Sequence, residues 1–470
     1  MRKFFCLFAL MVSACSLAPK YKKPEMNIPQ QFKEAGNWKI AEPGENKDRG
    51  EWWKIFNDPE LDSLEAEAVK ANQSLKAAAA RVEESRAAVR AARASFFPEI
   101  NLGGNALRSK PPSASGIAFG LPAKQFRPYT LYSAEGSVSY EADLFGRVQD
   151  TYKAAKFDAK GEAATYHSIL LALQADVAEN YFALRAMDAE RVLLRDTVQI
   201  RTEGNRIMQD EFKAGETGEQ DAVRTETELA SAKANLAALD KTRAGAEHGL
   251  AVLLGKTPAE FTFAEMPLDG SPPAVPAGLP SALLERRPDI SAAQYTMKAA
   301  NSRIGVARSA FFPSLTLTGS GGFESTMLHN LFDWPNRTWA LGPLFGSALT
   351  IPLFSGGADF ANLDLAKSGY DEAVANYRQQ VLVAFREVED NLSDQRLLAD
   401  QLHEQETAAT SAKRSAELSR KRYQEGETNY FEVVDEDRTS LAEQRALVEV
   451  RGARFVTTVT LIRALGGGWN

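Results

Sequence analysis

Gly255-Lys256-Thr257 carries the glycine, cation and hydroxyl that close a phosphate-binding loop, in which backbone amides cradle phosphate oxygens and the lysine reaches them. The spacing fails. The preceding glycine is Gly249, one residue too far, and the segment ends a helix-forming stretch where such a loop must join a strand to a helix. The four histidines, His167, His248, His329 and His403, are scattered and show no metal-ligand spacing. Carboxylates are plentiful, 62 Asp and Glu among 470 residues, but they sit in stretches that read as solvated helix faces. No catalytic residue, no metal ligand and no diffusible cofactor is assigned, and the expectation is that the chain is not an enzyme.

Cys15 is the residue with covalent chemistry to offer. Arg2 and Lys3 give a positive start, Phe4 to Val12 is apolar, and Ser13-Ala14 precede the cysteine. The apolar run is far short of the roughly 20 residues a spanning helix needs. Small residues ahead of a cysteine look like a bacterial lipoprotein cleavage site. Cutting there leaves Cys15 as the mature N-terminus, with S-diacylglycerol and N-palmitoyl chains as its covalent lipid, and several chains on one residue anchor firmly. Ser16 follows, and no Asp, so nothing there argues for retention in the inner membrane. An ordinary signal peptide with an incidental cysteine is the alternative. Cys6 would leave with the signal, so a disulfide framework within one chain is excluded. Loss of Arg2 and Lys3 takes the formal charge of −7 to −9, which disfavours nucleic acid as a partner.

The elements that must position these residues are written twice. Gly215-Glu216-Thr217 returns as Gly426-Glu427-Thr428 and Leu254-Gly255 as Leu465-Gly466, both at an offset of about 211, and Phe96-Phe97-Pro98 returns as Phe311-Phe312-Pro313. No proline occurs from Tyr129 to Thr257 or from Leu353 to Asn470. Proline costs about 3 kcal/mol inside a helix, so both stretches are free to form long ones. Leu170, Val177, Leu184, Val198 and Phe212 form one heptad seam, with Leu173, Met187, Leu194 and Met208 in the second position. Asn180, Arg191, Arg201 and Asn205 interrupt it, and Asn180 returns as Asn391. From about Gln149 to Phe212 there are about 64 residues, roughly 95 Å of helix. Asp359 to Tyr423 is similar. Each turns at a Gly-Glu-Thr and returns on a shorter helix, to Leu254 and to Leu465.

Between the helices lie strands. Tyr132, Ala134, Gly136, Val138, Tyr140, Ala142 and Leu144 alternate with Ser133, Glu135, Ser137, Ser139, Glu141 and Asp143. Ile100, Leu102 and Ala106 alternate with Asn101, Gly103 and Asn105, and Leu315 and Leu317 with Thr316 and Thr318. Trp339, Leu341, Phe345, Leu349 and Ile351 form one face of a fourth strand. One apolar and one polar face fit a transmembrane barrel. Four strands cannot close one, and open edges are forbidden in lipid. Three copies supply twelve strands, so a homotrimer is expected, with Pro111 to Pro128 and Glu324 to Arg337 as loops outside the cell.

The chain resembles the outer membrane efflux protein family, the TolC-like channels, and within it the lipoproteins that serve RND-type multidrug pumps. The resemblance rests on Cys15, the two Phe-Phe-Pro sites, Leu284-Glu285-Arg286-Arg287-Pro288-Asp289, Leu144-Phe145-Gly146, Leu353-Phe354-Ser355-Gly356-Gly357 and Ala464-Leu465-Gly466-Gly467-Gly468-Trp469. It covers nearly the whole mature chain. It implies a mixed α+β membrane protein of a Gram-negative outer membrane, a homotrimer with a 12-stranded β-barrel continued by a long periplasmic α-helical barrel. Its partners would be outer membrane lipids, a periplasmic adaptor (membrane fusion) protein and an inner-membrane RND transporter.

The boundaries expected are a signal peptide over 1–14, a lipid-anchored equatorial segment over 15–58, a first repeat over 59–257, a Pro-rich linker over 258–280 and a second repeat over 281–470. Strands are expected near 97–108, 130–144, 313–323 and 338–353. The resemblance also implies a periplasmic gate in Tyr430–Arg438, with Phe431 apolar, Asp435 a carboxylate and Arg438 basic, and Glu432 beside them. Spacings of four and three put Phe431, Asp435 and Arg438 on one helical face. Phe stands where an aliphatic residue is more usual. Gly215, Glu216, Thr217, Gly426, Glu427 and Thr428 resemble the hairpin tips that meet the adaptor. The function implied is a passive exit duct for drugs and other small molecules. A type I protein-secretion channel, a metal-ion efflux channel of the same fold, and a structural coiled-coil lipoprotein are the alternatives.

Overall fold

A computed structural model of the chain describes residues 16–27, 29, 31–34, 50–110, 127–275, 286–342 and 347–467. Cys15, residues 111–126 of the first loop expected outside the cell, Leu284-Glu285, Phe345 and Gly468-Trp469 lie outside the described residues. The elements in chain order are α1 (Pro59–Ala71), α2 (Gln73–Ala94), β1 (Glu99–Ser109), β2 (Tyr129–Ala142), α3 (Arg147–Ala214), α4 (Glu219–Leu253), α5 (Pro288–Ser309), β3 (Ser314–Ser325), β4 (Arg337–Leu341), β5 (Ser347–Thr350), α6 (Ala358–Gln424) and α7 (Tyr430–Ala464). The fold is mostly helical with one small sheet. The proline-free stretches hold the 68-residue α3 and the 67-residue α6.

The repeat is a repeat of helix ends. Gly215, Gly255, Gly426 and Gly466 all have positive φ, between 68° and 86°. At each, the glycine amide and the next one bond back into the last helical turn: Gly215 N to Phe212 O and Glu216 N to Glu211 O, Gly426 N to Tyr423 O and Glu427 N to Arg422 O, and likewise at Gly255 and Gly466. These are Schellman caps, which need a left-handed residue, and glycine takes that conformation without the Cβ penalty. The 211-residue offset repeats the caps of α3 and α4 at α6 and α7.

Two compact units emerge, and each takes segments from both sequence repeats: 1–24, 82–162 and 293–377 in the first, 25–81, 163–292 and 378–470 in the second. The sheet belongs to the first unit. β1 pairs β2, β2 pairs β3, and β3 pairs both β4 and β5, all antiparallel. Register places Ile100, Val138, Gly319 and Leu341 in one cross-strand row, Leu102, Gly136, Gly321 and Trp339 in the next, and Ala142, Leu315 and Leu349 in another. The intervening rows are polar: Asn101, Ser137 and Ser320, then Asn105, Ser133 and Glu324. The apolar face is bare, with Leu102 87% and Trp339 75% exposed.

The fourth strand position differs from one continuous strand near 338–353: β4 and β5 share it. β3 pairs β4 with Gly319 opposite Leu341, and β5 with Leu317 opposite Ser347, so the register shifts by four residues between them. The Gly342 amide still donates to the Thr318 carbonyl (3.1 Å), and the described pairing resumes at Ser347. The loop expected at 324–337 is correspondingly shorter, because β3 runs on to Ser325.

The second unit holds the main core. Trp52, Trp53, Leu61, Leu64, Val177, Tyr181, Phe182, Leu184, Leu250, Val388, Phe455, Val459 and Ile462 are among its buried members. Phe182 packs on Phe56 and Phe455 at centroid distances of 4.7 and 4.8 Å. The Pro-rich stretch after α4 is tied down along 263–268. Arg243 donates to Asp188 (2.5 Å) and to the Phe263 carbonyl, the Met266 amide donates to Asp188, and the Leu268 amide donates to the Arg185 carbonyl.

Candidate channel gate and hairpin tips

All ten residues expected at the gate and the tips lie in the second unit. The α6–α7 turn is built by local chemistry. Asn429 caps α7 by accepting from the Glu432 amide (3.1 Å), and the Thr428 hydroxyl donates to the Glu432 carboxylate. Arg422 on the last turn of α6 also meets Glu432, at 2.6 Å. Glu432 is therefore committed to closing the hairpin, and it is not one of the exposed residues on the expected gate face. At the other tip, Thr217 donates to Asp221 (3.3 Å), and the N-cap of α4 is Gly218, which has no side chain to cap with. Open space surrounds Gly215 and Gly426, so only their positive φ demands glycine there.

Phe431, Asp435 and Arg438 are exposed along one face of α7, while Val433, Val434 and Ser440 are buried on the other. Within the chain the three do not contact one another as a cluster; each of two has a partner on α4. The Arg224 guanidinium carbon lies 3.9 Å from the Phe431 ring centroid. Arg438 donates to Glu228, whose other oxygen is 2.8 Å from Arg201 on α3. Glu228 is 4% exposed, so a buried carboxylate is shared between a half-buried and an exposed guanidinium. This geometry satisfies the charge that burial would otherwise disfavour.

Polar groups of α7 also meet α3 and α6. Arg420 holds Asp437 at 2.7 Å. Burial pushes the Asp437 carboxyl above its ordinary value, and Arg420 opposes that shift. Burial likewise raises the Tyr430 phenol. A side chain at Gly204 on α3 would overlap the Tyr430 hydroxyl, so α3 and α7 meet closely there. A cavity of about 270 Å³, lined by Arg201, Arg420, Asp437 and Ser440 among others, lies beside it.

The sequence reading singled out Phe431, Asp435 and Arg438 but missed Arg224 and Glu228. Arg201 and Asn205 had shown as breaks in the heptad seam, and both are used here: Arg201 reaches Glu228, and Asn205 accepts from Thr225 at 3.0 Å. A charged or polar residue in a seam position signals a buried polar partner, though not which one. Arg191 is used in the same way, by Asp240 and Glu265. Asn180 and Asn391 each donate to the carbonyl four residues before, at Asp176 and Glu387.

A family model described as outer membrane efflux protein matches residues 64–256 and 279–467. The chain is similar to the cation efflux system protein CusC of Escherichia coli O6:H1, 31% identical over 469 residues that cover 99% of this chain and 98% of that one. It is similar to the probable outer membrane lipoprotein SilC of Salmonella typhimurium, 30% identical over 98% of this chain and 97% of that one. Among solved structures it superposes on the CmeC outer membrane channel of Campylobacter jejuni with a TM-score of 0.90, at 26% identity, over 97% of this chain and 96% of that one.

Proposed function

The chain belongs to the outer membrane efflux protein family, and from that premise we propose how its parts work. It is an outer membrane efflux channel with a TolC-like fold. The observation that carries the mechanism is the sheet: one bare apolar face, one polar face and two edges without a partner among the described residues. Unpaired backbone groups cannot stay in hydrocarbon, and a sheet only four strand positions wide, the fourth shared by β4 and β5, is too narrow to close. Three copies joined edge to edge supply twelve, with the apolar rows toward lipid and the polar rows toward a wet lumen. The channel is a passive duct. The chain performs no catalysis, and an inner-membrane RND pump supplies the driving force.

Three further roles belong to this reading. Cys15 carries the lipid anchor. The tips at Gly215-Glu216-Thr217 and Gly426-Glu427-Thr428 dock a periplasmic adaptor. Phe431, Asp435 and Arg438 form the periplasmic gate, where three copies around an axis place apolar rings beside a ring of carboxylates. Small organic compounds are the cargo. A cation cargo is the second reading, favoured by the name of the relative CusC. Deletion and complementation test both. Cells lacking the chain should accumulate a fluorescent dye such as ethidium, and the restored chain should reverse this. Accumulation of metal cations alone would assign the cation reading, and accumulation of neither dye nor cation would overturn the duct.

A further inference from the structure

The first four described residues are held in a built groove of the first unit. The Ser16 hydroxyl reaches Asp150, 2.7 and 2.8 Å from its two oxygens. Arg308 donates to the Leu17 carbonyl (3.2 Å), and Asn301 donates to the Pro19 carbonyl (2.9 Å). The Ala18 amide turns inward onto the Ser16 hydroxyl (3.3 Å). Asn301, Gly305 and Arg308 lie four and three apart, so one face of α5 forms the floor of the groove. Gly305 is what lets the segment in. A Cβ there would overlap the Asp150 carboxylate and stand 2.8 Å from the Ala18 amide.

Asp150 has no exposure at all, although it is a carboxylate. Its place in the first turn of α3 favours negative charge, and Lys153 lies 3.3 Å away. A buried carboxylate needs hydrogen-bond donors, and Ser16 is the donor that arrives from far along the chain. One residue before Ser16 is Cys15, and eight residues before Asp150 is the end of β2, Ala142. We propose that Asp150, Asn301, Gly305 and Arg308 form a seat for the chain's own processed N-terminus. The seat fixes residues 16–19 beside the head of α3, a few residues past the end of β2. In this arrangement the lipid anchor is held in place by the fold, and the segment behind it is no loose tether. The role of the seat as an anchor support rests on the proposed acylation of Cys15. The seat itself does not.

Hydrogen exchange on the purified full-length protein tests it. Ser16→Ala and Gly305→Ala should each speed exchange across residues 16–20 by about tenfold or more, as expected for loss of a hydrogen bond to a buried charge. Asp150→Asn is the third variant, and Arg303→Ala is the control, because Arg303 lies on α5 but pairs with Asp158 at an exposed site. Unchanged exchange over 16–20 in both Ser16→Ala and Gly305→Ala, with the protein folded, would overturn the seat. Palmitate labelling of the unaltered chain separates the two ideas: absence of label refutes the anchor, while protection of 16–20 in the same sample still supports the seat.

Discussion

Arg224→Met is the change that most sharply probes the gate. It keeps an apolar stem over Phe431 and removes the charge. The Phe431 ring is 46% exposed, with the guanidinium carbon 3.9 Å from its centroid. A cation over an aromatic face at an exposed site contributes about 0.5–1 kcal/mol. If three chains open together the loss is tripled, to about 1.5–3 kcal/mol, which shifts the balance of closed and open states roughly 10- to 150-fold. The contact ties α7 to α4, so its loss should favour opening. Phe431→Leu removes the π face while keeping an apolar side chain, and completes a double-mutant cycle. Single-channel recording in planar bilayers is the assay. Arg224→Met should raise open probability in the unaltered background and do little in the Phe431→Leu background. Equal effects in the two backgrounds, or none in either, would refute the pairing as a latch.

Further expectations address the gate, the anchor and the core. The double variant Phe431→Ala, Asp435→Ala should raise conductance and sensitise cells to vancomycin; unchanged conductance at normal oligomer levels would place the constriction elsewhere. Cys15→Ser should abolish palmitate incorporation while the barrel still assembles, and label retained in that variant would sink the assignment. Glu65 on α1 is fully buried, and neither of its oxygens has a hydrogen-bond partner among the described residues. Burial, then the neighbouring Asp62 charge, pushes its carboxyl from 4.5 up to about 9. Between those values the folded chain holds a proton that the unfolded chain has lost. Stability therefore falls as pH rises through that window, by roughly 3 kcal/mol at pH 7 relative to acid. Glu65→Gln should flatten the melting temperature between pH 5 and 9, and an unchanged slope would show that Glu65 does not carry it.

Local patterns carried most of the fold into the sequence. The alternation in Tyr132–Ala142 and Ile100–Ala106 is the two-faced sheet, because side chains on a strand alternate with period two. The recurring glycines are the helix caps, because a left-handed cap residue is read from one position. The four-residue shift in register between β4 and β5 was hidden, because the apolar positions on either side keep the same face. Long-range pairings were not legible. Arg224 and Phe431 are 207 positions apart (431 − 224), Glu228 and Arg438 are 210 apart, and Ser16 and Asp150 are 134 apart. Spacing rules reach one or two helical turns. The heptad breaks at Arg201 and Asn205 flagged that something polar lay opposite, and only the packing of α3 on α4 says what.

The central claim is that copies of this chain close their open sheets into a conducting, three-chain pore. Light scattering of the detergent-solubilised protein, followed by planar-bilayer recording of the same fraction, tests it directly. A mass of three chains is expected, with discrete single-channel steps from that species. A stable monomer with its strand content intact, or a folded trimer that never conducts even with Phe431 and Asp435 both changed to alanine, would contradict it.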